Sequence, residues 1–83
     1  MANDKRLSKI PMKYRSFVKK EISNLVDILQ TRRQEKGLSQ TEFSEEINIA
    51  FKTLQAIEQG SRKPSLEVLL AMCKALGVKL ELK

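Results

Sequence analysis

The apolar residues Val18, Ile22, Leu25 or Val26, and Leu29 recur at three- and four-residue steps ahead of the first glycine, Gly37. That spacing lays them on one face of a 3.6-period helix. Ser23 or Asn24 can cap a fresh helix there, with Asp27 in its first turn. Pro11 can open an earlier one, because proline costs little at the first helical position. The pattern leaves open whether residues 12–36 form one helix or two, and residues 1–9 read as a flexible arm.

Beyond Gly37 the punctuation is dense. Ser39 followed by Glu42 is a capping box, which opens a short helix from Gln40 to Ile47 with Phe43 and Ile47 on one face. Asn48 interrupts it, and Asn tolerates left-handed backbone angles. A second short helix runs from about Phe51 to Gln59 with Leu54 and Ile57 inward, and Gly60 ends it. Ser61-Arg62-Lys63-Pro64 is a loop. Ser65 caps a further helix, Leu66 to Leu76, whose Leu66, Leu69, Leu70, Cys73 and Leu76 form a broad apolar stripe ended by Gly77. The tail Val78-Lys79-Leu80-Glu81-Leu82 alternates with period two and reads as a strand.

Composition narrows the chemistry. The chain has 83 residues, 41% hydrophobic and 31% charged, with one Cys and no His. That is one small globular domain. A structural zinc site needs about four Cys, His or carboxylate ligands, which one Cys and no His do not typically supply. Ser-His or Cys-His catalysis lacks its base. A lone Cys makes no internal disulfide, no run reaches the roughly 18 apolar residues of a membrane span, and no signal-peptide core follows Met1. These features suit the cytoplasm, with no cofactor, no metal and no membrane partner. Cys73, inside an apolar stripe, reads as a small hydrophobe.

The charge is lopsided. Residues 1–36 carry ten Lys or Arg against four Asp or Glu, and residues 37–83 carry six of each. Lys5 to Lys20 holds seven basic residues and no acid. A basic segment on a neutral domain suggests a polyanion partner, and a solvated tail is the plainer alternative.

Two short helices joined by a tight turn, within a small bundle, make a helix-turn-helix arrangement. The runs Leu38-Ser39-Gln40-Thr41-Glu42-Phe43-Ser44, Ile47-Asn48-Ile49 and Leu54-Gln55-Ala56-Ile57-Glu58-Gln59-Gly60 resemble the Xre (Cro/CI-type) helix-turn-helix family. Leu29, Arg33 and Gly37 upstream fit the same pattern, as do Pro64-Ser65-Leu66 and Leu76-Gly77 downstream. The resemblance covers about residues 25–78. It implies an all-α, five-helix, sequence-specific DNA-binding domain that acts as a dimeric repressor. The expected organisation is a basic, partly helical arm over 1–22, the domain over 23–77 and the strand over 78–83.

In such a domain the second helix of the pair lies in the major groove of double-stranded DNA. By resemblance, Phe51, Lys52, Thr53 and Ala56 match the positions that meet bases. Lys52 can donate to guanine, while Phe51 and Ala56 can pack on thymine methyls. Phe51 has a second reading, as an aromatic that caps the core. Gln40, Gln55, Ser61, Arg62 and Lys63 are the expected phosphate contacts. The resemblance also pairs Arg33 with Glu58 as a buried architectural ion pair. Three positions depart from the family pattern: Ala50 replaces the usual Ser or Thr cap, Asn48 the usual Gly, and Ser44 the usual Ala.

A five-residue strand needs a partner for its backbone. Two copies paired antiparallel about Leu80 set Val78 against Leu82 and Lys79 against Glu81 in both halves. That self-complementarity fits a two-fold homodimer and an inverted-repeat operator. A helix-turn-helix ending in such a strand also resembles HipB-like antitoxins, which implies a cognate toxin as partner. Two other readings compete: a protein-interaction module, in which Glu42, Glu45 and Glu46 would face the DNA side, and a basic amphipathic membrane-surface helix over 10–29. Nothing gathers an acid, a base and a pocket for an enzyme.

Overall fold

The computed structural model of the chain describes residues 10–80. Four helices follow one another: α1 (Met12–Glu35), α2 (Gln40–Glu46), α3 (Phe51–Gln59) and α4 (Leu66–Leu76). Among the described residues there is no strand and no fifth helix.

From Met12 to Glu35 the chain is one helix, without the fresh start expected at Ser23 or Asn24. Pro11 sits just before it in extended conformation, and its carbonyl accepts from the N–H groups of Tyr14 and Arg15 at 2.9 and 3.0 Å. Ser23 and Asn24 are exposed mid-helix and cap nothing. The helix continues because Val26, Leu29 and Arg33 keep one face buried through its second half. Its first half, residues 11–21, is exposed throughout, with Met12, Tyr14, Phe17 and Val18 open to solvent. The arm expected over residues 1–9 lies outside the described residues.

All four helices stop in the same way. The second residue past each last turn donates its N–H to a carbonyl five residues back: Leu38 to Arg33, Ile49 to Ser44, Ser61 to Ala56, Val78 to Cys73, at 2.9 to 3.1 Å. The residue between has positive φ: Gly37, Asn48, Gly60 and Gly77. This closes orphaned carbonyls, and an apolar residue after the turn packs back onto the helix. Leu38, Ile49 and Val78 do so, each resting against the core.

That last stop leaves the single chain without the expected strand over its described residues. Val78 belongs to the closure of α4, and residues 78–80 are not in a strand. A single chain offers the tail no neighbouring strand. Glu81 and Leu82 lie outside the described residues.

The core draws on every helix: Leu29 from α1, Phe43 from α2, Leu54 from α3, and Leu69, Met72, Cys73 and Leu76 from α4. Burying each large apolar side chain stabilises by about 1.5–3 kcal/mol. The α4 stripe is narrower than its sequence suggests, since Leu66 and Leu70 are exposed and Met72 is fully buried. At 100° per residue, Leu69, Met72, Cys73 and Leu76 share one arc, and Leu66 and Leu70 fall to its side.

Candidate nucleic-acid interface

The pair α2 and α3 is held by local chemistry at each joint. Ser39 and Glu42 complete the capping box, the Glu42 N–H donating to Ser39 Oγ at 3.0 Å and the Ser39 N–H to Glu42 Oε1 at 2.9 Å. Asn48, at φ 57°, makes the turn. Ser44 is buried, and its hydroxyl donates to the Thr41 carbonyl at 2.9 Å. Ala50 precedes α3 with extended angles and contributes no side-chain cap.

Leu54 and Ile57 fix the inner face of α3. Its outer face carries Phe51 and Lys52, both exposed, with Thr53, Gln55 and Ala56 half-buried beside them. Phe51 is 39% exposed and is not one of the residues packed against the core. Ser61, Arg62 and Lys63 lie in the loop past the other end of α3, about 13 Å along a nine-residue helix. The Ser61 hydroxyl donates to the Ala56 carbonyl at 3.2 Å, so that residue also braces the end of the helix. Arg62 and Lys63 are exposed.

Behind this face, Arg33 of α1 clamps α3. Its Nε donates to Glu58 Oε2 at 2.8 Å and its Nη2 to Glu58 Oε1 at 3.0 Å. Nη1 donates to the Leu38 carbonyl at 2.6 Å. The two side chains are 7% and 2% exposed, so the pair is buried and fully hydrogen-bonded. Gln40, half-buried, joins it, its Nε2 donating to Glu58 Oε1 at 2.8 Å. Sequence reasoning missed the Gln40–Glu58 bond and the tie from Arg33 to Leu38. No spacing signals them, because they arise only once α1, α2 and α3 converge.

No group of three His, Cys, Asp or Glu among the described residues could hold a metal ion. None of the described helices is long and apolar enough to cross a membrane. Cys73 is buried, and burial pushes its thiol pKa up.

The helix-turn-helix family profile matches residues 29–83, two thirds of the chain. The chain belongs to that family, in its Xre (Cro/CI) type. One similar protein is YgzD of Bacillus subtilis strain 168, named an uncharacterized HTH-type transcriptional regulator. It is 40% identical over 45 residues, which is 54% of this chain and 68% of the relative. An uncharacterized HTH-type transcriptional regulator of Methanothermobacter thermautotrophicus is 34% identical over 50 residues, covering 60% of this chain and 72% of its own. No solved structure matches.

Proposed function

We propose that this protein is a transcriptional regulator that reads double-stranded DNA with α3. The carrying observation is the contrast between the two faces of that helix. Its inner face is fixed by Leu54, Ile57 and the Arg33–Glu58 clamp, while Phe51 and Lys52 stand free on the outer one. A rigid helix with an exposed cation and aromatic at its amino end suits base edges in a major groove. Phe51, Lys52, Thr53 and Ala56 would meet bases. Gln40, Gln55, Ser61, Arg62 and Lys63 would meet phosphates, Gln40 through whichever amide atoms its bond to Glu58 leaves available.

The finer reading is a homodimeric repressor on an inverted repeat, with reading helices about 34 Å apart. The family resemblance and the self-complementary tail from Val78 to Leu82 support it. So do Leu66 and Leu70, exposed on one side of α4, and exposed Leu80. An antitoxin role, with a cognate toxin as partner, rests on the resemblance to HipB-like proteins alone. A protein-interaction module is the second reading, favoured by the exposed acids Glu42, Glu45 and Glu46 on α2.

Selection from a pool of random duplexes tests the proposal. Wild type is expected to enrich an inverted repeat, and Lys52→Ala to lose or change the preferred base in each half-site. A pool that stays random after repeated rounds would favour the interaction module.

A further inference from the structure

The family match begins at Leu29, so it leaves the amino-terminal half of α1 unaccounted for. Within it, Ile22 and Val26 continue the core face of the helix beyond the matched residues, half-buried and buried respectively. Ile22, Val26, Leu29 and Arg33 follow one another at three- and four-residue steps toward the carboxyl end. One step outward the helix carries exposed Val18 and, beside it, Lys19. Here the helix runs beside the loop after α3. Between the two is an open groove of about 330 Å³. Ile22, Val26 and Ile57 line it with apolar surface, and Lys19 from α1 and Arg62 and Lys63 from the loop line it with charge.

Three cations from two separate elements share this groove with two acids, Glu58 and Asp27. Glu58 is already taken up by Arg33. That leaves Asp27 against three cations in the lining, an excess that a bound anion would relieve. Arg62 and Lys63 are also the loop cations assigned above to the DNA backbone. We infer that this groove is a further seat for the nucleic-acid backbone, in which Lys19 supplies a phosphate contact from outside the helix-turn-helix pair. The inference rests on the DNA-binding reading of α3. It also accounts for the length of the first helix, since a rigid α1 carries its cation to a fixed place, which a mobile arm does not.

The test needs no known operator, because a phosphate contact acts on any sequence. Binding of the full chain to a labelled random-sequence duplex is followed by fluorescence anisotropy across a salt series. Each phosphate neutralised contributes about −0.9 to the slope of log affinity against log salt. Lys19→Gln is expected to make that slope shallower by about 0.9, so its affinity deficit is about 3.5-fold larger at 50 mM than at 200 mM salt. Lys19→Arg should restore the wild-type slope. Lys20→Gln removes the same charge from the next residue, which is exposed but lies about 100° round the helix and outside the groove. It should leave the slope nearly unchanged. If Lys19→Gln and Lys20→Gln behave alike, either both silent or both equally weakened, the groove has no backbone role while the reading of α3 stands. If wild type shows no salt-dependent duplex binding at all, the parent reading fails and this one with it.

Discussion

Arg33 stands in the fold as a cation with almost no water, held by both carboxylate oxygens of Glu58 and by the Leu38 carbonyl. Its planar fork makes those bonds in one geometry, which a lysine ammonium cannot copy. Removing either partner strands the other charge, at a cost of about 3–5 kcal/mol. Arg33→Met and Glu58→Leu should each lower the urea midpoint steeply, and the double variant should recover much of the loss. Purely additive losses would mean the two side chains stabilise independently. Asn48 carries a smaller strain. It is the single non-glycine at positive φ among the described residues, where an L-residue pays roughly 1–2 kcal/mol. Asn48→Gly should hold or raise the denaturation midpoint and Asn48→Ala should lower it, with the m-value unchanged in both. The reverse order would show that the turn is set by something other than backbone angle. Cys73 gives a pH signature. Burial raises its thiol pKa, so the folded state keeps that proton more tightly than the unfolded chain does. Its contribution is complete below the ordinary thiol value, about 8.5, and is lost as pH rises through the higher folded value. Stability measured from about pH 8 to pH 10 should therefore fall more steeply in wild type than in Cys73→Ala.

The elements differ in how far their sequence discloses them. The starts of α2 and α4 were legible because Ser39, Glu42 and Ser65 act within one turn. The helix ends were legible for the same reason, since a residue of positive φ closes each one and, at three of the four, an apolar residue follows it directly in the chain. Two features needed the third dimension. The continuity of α1 depends on Val26, Leu29 and Arg33 finding the other helices, which outweighs the capping chemistry of Ser23 and Asn24. The burial of Met72 in place of Leu66 and Leu70 depends on where α4 is approached, and both choices satisfy helical periodicity. The site divides along the same line: the inward and outward residues of α3 follow from spacing, whereas the tie from Gln40 to Glu58 does not. Helix α3 has one local weakness, the missing side-chain cap at Ala50. Ala50→Ser and Ala50→Asp should each stabilise the domain by about 0.5–2 kcal/mol, read as a higher thermal midpoint. They should part on DNA. The serine keeps the amino end of the reading helix neutral, while the aspartate sets a negative charge next to phosphate, weakening duplex binding most at low salt. Equal effects of the two on binding would place the amino end of α3 away from the nucleic acid.

At the scale of the molecule the charge is one-sided, while exposed apolar side chains occur in both halves of the chain. The net charge is +6, all of it contributed by the first 36 residues, so the end of the chain is free of the self-repulsion that the amino-terminal region would bring to an interface. Leu66, Leu70 and Leu80, exposed in a single copy, belong to that neutral half. A two-fold pairing through the tail would bury apolar side chains and supply strand partners that one chain lacks. Val78 is already committed within the single chain. Its N–H closes α4 onto the Cys73 carbonyl, and its side chain rests on the core. Cutting the chain before Val78 would damage the fold and the pairing together. Cutting after it separates them. A chain ending at Val78 should keep its thermal midpoint at high dilution, where wild type is also monomeric, and should stay monomeric by sedimentation at concentrations where wild type forms dimers. It should also lose the preference for an inverted repeat over a single half-site, since that preference comes from two reading heads held at one spacing. A shortened chain that still dimerises would move the interface onto Leu66 and Leu70, where Leu70→Lys would then be the variant that breaks it.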